Sequence, residues 1–548
     1  MRVADLIIRI LRQQHVETVF GYPGGSIMPI YDALHGSDLK HVLCRHEQGA
    51  AFAAGGYARA SGKPGVCLAT SGPGVTNLLT GLADALLDSV PVVAITGQAP
   101  TKDIGTDAFQ EVDALGLSLS VTKHSYLITA PEDVNGILQE AFQVATSDRP
   151  GPVLVDIPKD VQLAEADLKP ILKIADDKEA LDTRLVETAR DLLKKAARPV
   201  AYIGGGVVLA GAVEPLRSFL SKTGIPSVTT LKGIGTVTPE EPHFLGLLGM
   251  HGNPAANKAV QGADLLICIG ARFDDRVTGK LEAFAPNARI IQLDIDAAEV
   301  NKRREVDVGL LGSLGEILPR LRRKLDISPW QAECRALKRR HAWAYRQEGA
   351  SIHAPSFLRL LSETMKKETI VCTDVGQHQM WVAQHMIFDQ PMNHLSSGGL
   401  GAMGFGLPTA VGAQMARPEA PVLNISGDGS FMMNVQELAT IRRYGLPIKI
   451  IIMDNQRLGM VRQWQELFFD ARYSETTLSD NPDFVRLAEV FQIRGQHIES
   501  MAEVLPALKD LLNTKEAYLL HVKIEPEQNV WPLVPPGAAN DDLMEGTA

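Results

Sequence analysis

Three sets of residues in the 548-residue chain have types and spacings that could do chemistry. In HEQGAAFAAGGYARA, residues 46–60, a single carboxylate, Glu47, heads a run of alanine and glycine whose next charge is Arg59. A helix of such small residues suits a closely packed partner, and a flat apolar one would leave the carboxylate short of water and raise its proton affinity. Alone, Glu47 could equally be an acidic residue stabilised by a helix N-terminus. In NISGDGS and IIIMDN, Asp428 and Asn455 end two apolar runs. Ligands of open parallel sheets bind at the carboxyl ends of strands. There Gly427 and Gly429 would let the backbone approach, and the helix beginning near Ser430 would point N–H groups at an anion. Mg²⁺ takes six hard oxygens, phosphate oxygens among them. Side-chain oxygens of Asp428 and Asn455, a loop carbonyl and two diphosphate oxygens would nearly complete that set. GDGS without the second motif would read as a surface turn, and it is DN at this spacing that argues for a metal. Finally, Gly204-Gly205-Gly206 follows PVAYI, while RIIQLDID ends in Asp294 and Asp296, where a ribose ligand would stand. Lacking a clean GxGxxG, this is a weak dinucleotide signal.

The elements that must position these residues are legible as ten apolar runs alternating with helical patterns: VETVF, GVCLAT, PVVAITG, PVLVDIP, PVAYIGGG, DLLICIGA, RIIQLDID, TIVCTD, PVLNISGDG and PIKIIIMDN. That alternation predicts an α/β protein with parallel sheets and crossover helices. Charged, weakly patterned segments at 163–188 and 322–352 read as linkers, giving domains over 1–163, 188–322 and 352–548. ATSGPGVTNLLTGLADALLDSVPVVAITGQ and NISGDGSFMMNVQELATIRRYGLPIKIIIMDNQ echo one another as strand, Ser-Gly-x-Gly, helix, proline and strand. Gly72 to Pro91 is 19 steps and Gly427 to Pro447 is 20. The first and third domains are therefore expected to be versions of one unit, with oxygen ligands in both loops of the third only.

Length supports the division, since single cores stop growing near ~250–300 residues. With 45% hydrophobic and 22% charged residues, no apolar run approaches the roughly 18 residues that span a membrane. A net charge of −10 and pI of 5.8 disfavour nucleic acid or an anionic membrane as partner. Small anionic substrates need only a local cation. Five cysteines, odd in number and without a CxxC pair, indicate neither a disulfide framework nor a zinc site. A cytoplasmic location is expected, because charges and a helix-then-strand pattern fill the N-terminus without a targeting segment.

RHEQGAA together with Gly427-Asp428-Gly429 and Asn455 resembles the thiamine diphosphate fingerprint. Motifs along nearly the whole chain, among them FGYPGGSIMPIYDAL, GTDAFQE, GARFDDRVTGK, TDVGQHQMW, GLGAMGFGLP, GMVRQWQ and WPLVPPGA, resemble the catalytic large subunits of acetolactate synthases, the bacterial type II enzymes most. The resemblance implies three doubly wound parallel-sheet domains: a pyrimidine-binding unit, a Rossmann-like FAD domain and a diphosphate- and Mg²⁺-binding unit. It makes Glu47 the acid that holds the pyrimidine nitrogen in a charge-assisted hydrogen bond, with the pyrimidine against the Gly- and Ala-rich helix. Further cofactor contacts map to Gly25, Pro73, Asn77, Val375, Gln377, His378, Gly401, Met403 and Gly459. Arg457 joins Asp428 and Asn455 in the metal set. FAD contacts map to Arg149, Gly204–Gly206, Gly249, Met250, His251, Gly270, Ala271, Arg272, Asp274, Asp294, Ile295 and Asp296. The FAD would be structural. One departure is Gly312-Ser313, where the family usually has Gly-Asp.

The implied reaction is decarboxylation of pyruvate on thiamine diphosphate, after which the hydroxyethyl enamine condenses with a second 2-keto acid, pyruvate or 2-ketobutyrate. This is the first common step towards valine, leucine and isoleucine. The likeness gives Arg276 to the second substrate's carboxylate, for which bidentate arginine is suited. A salt bridge to Asp274 or Asp275 is the alternative. Lys159 maps near the mouth, and Gln110 with Gly25 lines the first-substrate side. If VRQWQ is helical, Met460, Val461 and Trp464 share one face, which in the family shapes the acceptor pocket with Met250, Phe109, Val375 and Met403. A homodimer with shared active sites and a small regulatory subunit are the implied partners. Three rivals stay open: another thiamine enzyme (an FAD-dependent pyruvate oxidase or a 2-keto acid decarboxylase), a non-catalytic thiamine-binding protein and a nicotinamide dehydrogenase.

Overall fold

All ten apolar runs become strands in the computed structural model, which describes residues 1–170, 181–346 and 351–546. Parts of both expected linkers, 171–180 and 347–350, and the last two residues of the expected third domain lie outside the described residues. In the first sheet β1 (Thr18–Gly21), β2 (Lys40–Leu43), β3 (Gly65–Ala69), β4 (Val92–Gln98), β5 (His124–Leu127) and β6 (Pro152–Pro158) are parallel, in the order β2-β1-β3-β4-β6-β5. Strands β3, β4 and β6 are buried along their length, as expected when helices cover both faces.

The third sheet repeats this plan. Strands β13 (Ile370–Thr373), β14 (His394–Ser396), β15 (Val422–Gly427), β16 (Lys449–Asp454), β17 (Arg494–Ile498) and β18 (Tyr518–Lys523) run parallel in the order β14-β13-β15-β16-β18-β17. Renumbered from one, the two orders are identical, so the internal echo marks two copies of one unit. The middle sheet differs: β7 (Pro199–Ile203), β8 (Ser227–Thr229), β9 (Phe244–Leu247), β10 (Leu265–Ile269), β11 (Arg289–Asp294) and β12 (Val308–Leu311) run β12-β11-β10-β7-β8-β9. This is the order of a doubly wound nucleotide-binding sheet, with the strand sequence reversing between β7 and β10.

The Gly- and Ala-rich helix, Glu47–Ser61, packs along its length on another small-residue helix, Gly406–Ala416 of the third unit. A Cβ at Gly56 would run into the Thr409 backbone, and one at Gly412 into the Ala53 carbonyl, so both glycines are there for close helix approach. The single helix expected after Gly-Asp-Gly is broken into Asp428–Met432, a 3₁₀ turn at Val435–Glu437 and Leu438–Tyr444. The charged segment after residue 322 contains the helix Ser328–Arg340, docked on the middle unit. There Trp330 is buried, donates its indole N–H to the Pro199 carbonyl at 3.0 Å and lies under the Arg198 guanidinium.

The chain's end also returns to the middle unit: Val534 N–H donates to Met250 O, Lys280 N–H to Ala538 O, and Asn540 Nδ2 to Val277 O. This strap fastens the Arg276 segment from outside. No helix among the described residues is long and apolar enough to cross a membrane.

Candidate functional site

The register of β15 on β16 sets the first part of the site. Gly427 pairs with Met453, so the next residues, Asp428 just past β15 and Asp454 at the end of β16, stand side by side. Burial pushes the Asp428 carboxyl well above its usual range, and the Asp454 charge and hydrogen bond add to that. Asp454 is held low despite burial, because the His521 Nε2 lies 2.8 Å from its Oδ2. Two facing carboxylates must share a proton or accept a cation. The Asn481 amide donates to Asp428 Oδ2 at 2.8 Å, and Asn455 is buried next to Asp454, its amide donating to Gln377 Oε1 at 3.0 Å. Among the described residues no group of three or more His, Cys, Asp or Glu could hold a metal by itself. The donor set therefore suits a hard divalent ion whose coordination is completed by an anionic ligand such as a diphosphate.

The surrounding expected residues fall into place around these loops. Gly427 N–H donates to His378 Nε2 at 3.2 Å, and burial pushes that imidazole down to about 3, which keeps it a neutral acceptor. A Cβ at Gly427 would lie 2.9 Å from His378 Nδ1, and one at Gly459 would overlap the Gln377 amide, so neither position admits a side chain without a shift. Ser430 donates to the Gly427 carbonyl, Gly429 packs under Leu458, and Arg457 N–H donates to Asn455 Oδ1.

In the first unit, Glu47 is the first residue of its helix, half-buried, and its Oε2 accepts a 3.0 Å hydrogen bond from the Asn77 amide. Asn77 lies on the helix Pro73–Leu87, which follows β3. The expected cofactor residues Asn77 and Glu47 thus meet each other.

A cavity of about 1450 Å³ runs from the middle unit into the third. It opens at the carboxyl ends of β7, β10 and β11, and Arg149, Gly204–Gly206, Gly270, Ala271, Arg272, Asp274, Asp294 and Ile295 line it there. Met250, His251 and Arg276 carry it on to Val375, Gly401, Met403, Met460, Val461 and Trp464. Its volume exceeds the roughly 300–1,000 Å³ of ordinary small-molecule pockets, and it sits at the switch point, as an extended dinucleotide requires. Gly249 and Asp296 do not line it. Gly249 is held from both sides by Asn257, and Asp296 pairs with Arg149, whose guanidinium also reaches Glu299 at 2.7 Å.

The helix Gly459–Phe468 carries Met460, Val461 and Trp464, and the Arg276 guanidinium lies 5.9 Å from the centre of the Trp464 ring. Among the described residues Arg276 forms no ion pair; the neighbouring pair is Arg272 with Asp274. The salt-bridge alternative for Arg276 is therefore absent.

Gly25, Glu47, Pro73, Asn77, Phe109, Gln110 and Lys159 do not line this cavity, although the loops that carry them leave carboxyl ends of the first sheet. Phe109 is 89% exposed, Gln110 has a positive φ of 60°, and a Cβ at Gly25 would meet open space. Gln377, His378, Gly427, Asp428, Asn455 and Gly459 of the third unit do not line it either, so this cavity reaches neither the Glu47–Asn77 pair nor the Asp428 loop.

Several residues escaped the sequence reading. Asp454 stood beside Asn455 in the DN motif and needed only the strand register. Asp374, at the exit of β13, accepts N–H groups from Val375, Gly404 and Gly406, and burial pushes it up to about 6. Asn481, His521 and the buried group Arg59, Asp84, Asp88 and Lys232 carried no local signal, because their partners are distant in sequence.

Three family models match: the thiamine pyrophosphate enzyme N-terminal TPP binding domain over residues 1–117, the central domain over 186–321 and the C-terminal TPP binding domain over 374–522. The chain is 59% identical, over 100% of both chains, to the acetolactate synthase isozyme 2 large subunit of Escherichia coli (strain K12). It is 46% identical to the acetolactate synthase large subunit of Corynebacterium glutamicum, covering 99% of this chain and 90% of that one. Identity to the chloroplastic acetolactate synthase of Arabidopsis thaliana is 45%, covering 99% and 84%. With the shared strand order of its outer sheets, the paired acids of the third and Glu47 of the first, the chain belongs to the acetolactate synthase large-subunit family of thiamine pyrophosphate enzymes.

Proposed function

We propose that this chain is the catalytic subunit of an acetolactate synthase, releasing CO₂ from pyruvate and joining the remaining two-carbon unit to pyruvate or 2-ketobutyrate. The observation that carries the reading beyond family membership is Arg276, unpaired, over the Trp464 ring where the cavity enters the third unit. An unpaired guanidinium beside an aromatic wall can grip the carboxylate of an acceptor keto acid and leave its alkyl end against Trp464.

Thiamine diphosphate, when bound, supplies the carbon nucleophile and the electron sink for decarboxylation. The chain's own residues bind and orient it. Asp428 and Asn455, with the Arg457 loop, would hold Mg²⁺ and through it the diphosphate, and Asp454 adds a second carboxylate. Glu47, steadied by Asn77, would hold a proton at the pyrimidine ring nitrogen. Gly25 and Gln110 would face the first pyruvate, and Lys159 would help admit anions. The middle-unit cradle would hold FAD, an extended ligand that fits the cavity's length and glycine-lined turns.

Because Glu47 and Asp428 serve opposite ends of one cofactor, the working form is a homodimer whose sites are shared between chains. Phe109, exposed to 89% in the single chain, suits burial by a second copy. A small regulatory subunit is the further partner implied by the name "large subunit" of the relatives. The domains are assigned to 1–163, 188–322 and 352–548, and the five free, buried cysteines suit a reducing cytoplasm.

The test is product analysis from pyruvate, with and without 2-ketobutyrate, omitting thiamine diphosphate, Mg²⁺ and FAD in turn. Acetolactate and 2-aceto-2-hydroxybutyrate are expected. Acetyl phosphate or acetaldehyde as the main product would replace this reading with an oxidase or a decarboxylase.

A further inference from the structure

Two cations and two carboxylates are clustered where the three units meet. Arg59, its side chain only 7% exposed, pairs with Asp84 at 2.8 Å and Asp88 at 3.0 Å, all within the first unit. Lys232 of the middle unit reaches Asp88 at 3.0 Å and donates to the Ser396 carbonyl of the third unit at 2.8 Å. Asp88 also accepts the N–H groups of Gly398 and Gly399.

The Lys232 stem lies between two glycines of different units. A Cβ at Gly205, in the flavin cradle, would be 2.9 Å from Lys232 Cβ, and one at Gly398 would be 2.7 Å from Lys232 Cδ. The turn that begins at Gly398 continues to Leu400 and Gly401, which line the cavity's third-unit side. A displacement of the Gly205 loop therefore meets the lysine stem, and a displacement of the stem meets the turn. A buried ion pair placed for stability alone could be exchanged for apolar groups at little cost. That account leaves unexplained why both neighbours of this stem lack side chains.

We infer that Lys232, pinned by Asp88, is a positioning residue that couples the flavin cradle of the middle unit to the thiamine-side turn of the third, so that flavin binding tightens thiamine diphosphate binding. This rests on the cofactor assignments proposed above. It gives a flavin that takes no part in electron transfer a mechanical role.

The experiment uses the full-length chain stripped of cofactors, with Mg²⁺ present and no substrate. Thiamine diphosphate is titrated by quenching of tryptophan fluorescence, with and without saturating FAD. In the unaltered protein FAD should lower the half-saturating concentration by about five-fold or more, the lower end of ordinary coupling between sites. Lys232→Met keeps the stem and removes the charge, and in the protein that folds it should bring that ratio close to one, with a lower melting temperature because buried Asp88 loses one of its two cations. Lys232→Arg should restore the ratio. Gly398→Ala leaves all four charges in place but crowds the stem, and should also lower the ratio; it carries the test if Lys232→Met does not fold. An unchanged ratio in a folded Lys232→Met or Gly398→Ala protein overturns the coupling, as does a ratio near one in the unaltered protein. Failure of the unaltered protein to bind FAD, read by flavin fluorescence, overturns the cradle assignment and the coupling together.

Discussion

The first and third units share one strand order and place Ser-Gly-x-Gly at the same strand exit, yet they present different chemistry there. After β3 the turn reads Gly-Pro-Gly, and Pro73 opens an unbroken helix to Leu87. After β15 it reads Gly-Asp-Gly, and the helix breaks after Met432. A proline at the first helical position offers a ligand neither an N–H nor a side-chain oxygen, and its fixed φ suits the start of a helix. An aspartate there puts a carboxylate against the exit of the neighbouring strand, where Asp454 meets it. The first unit instead contributes its acid from a different helix, at Glu47, supported by Asn77. Duplication supplied one scaffold twice, and the divergence lies in the few residues beyond the strand ends.

The sharpest test of this division is Glu47→Gln, which keeps the shape and the Asn77 contact but removes the acid. Turnover should fall by roughly 10²–10⁴ while thiamine diphosphate still binds through the third unit. Loss of binding with unchanged turnover of the bound fraction would reverse the roles of the two units. On the other side, Asn481→Ala removes the amide that orients Asp428. Mg²⁺ affinity, followed by metal titration, should weaken by about 10–100-fold, as for other outer partners of metal ligands, and an unchanged affinity would remove Asp428 from the metal set.

Trp464→Leu tests whether the third unit also holds the acceptor pocket. In a mixed pyruvate and 2-ketobutyrate assay, acetolactate formation should persist while the preference for 2-ketobutyrate falls by on the order of 1–3 kcal/mol, the value of a methylene contact. A constant product ratio would place selection elsewhere.

The smallest effect concerns the joint between the units. Burial pushes Glu437 from its ordinary 4.5 up to about 7, although Thr440 and the Arg45 N–H both donate to it. Between those values the folded chain binds more protons than the unfolded one, so this group's contribution makes stability fall as pH rises towards 7 and level off above it. Glu437→Gln should therefore lose less thermal stability than the unaltered chain between about pH 5 and pH 8. An identical pH slope would show that the carboxyl is not buried at this joint in solution.

Legibility in the sequence followed the length of continuous apolar runs, since β8 and β14 are fully buried but only three residues long. The ten runs read as strands are interior strands, whereas all six edge strands, β2, β5, β9, β12, β14 and β17, escaped, together with β8 and β18. Strands β2, β5 and β17 are largely half-exposed and mix polar with apolar residues, so they lack the continuous hydrophobic signal of a strand covered on both faces. Strand β18 is interior but carries His521 and Lys523, one for Asp454 and one at the surface. The site divided in the same way. Glu47, Asp428 and Asn455 were legible because each belongs to a short motif with its own local chemistry. Asp454 as a partner, Asn481, and the meeting of Arg276 with Trp464 were not, since each depends on a contact across more than 20 residues.

The sequence by itself determined that the chain holds three parallel α/β units, that the outer two are copies, and which residues at their strand ends can take an anion, a metal or a proton. Periodicity and short motifs carry that much because they are set by the nearest residues of the backbone. Only the tertiary structure decided what the Gly- and Ala-rich helix packs against, which carboxylates share a cation, and that Lys232 lies between two units' glycine turns. Those outcomes depend on strand register and on helix-to-helix distances of a few ångströms, and neither is written in any one stretch of the chain.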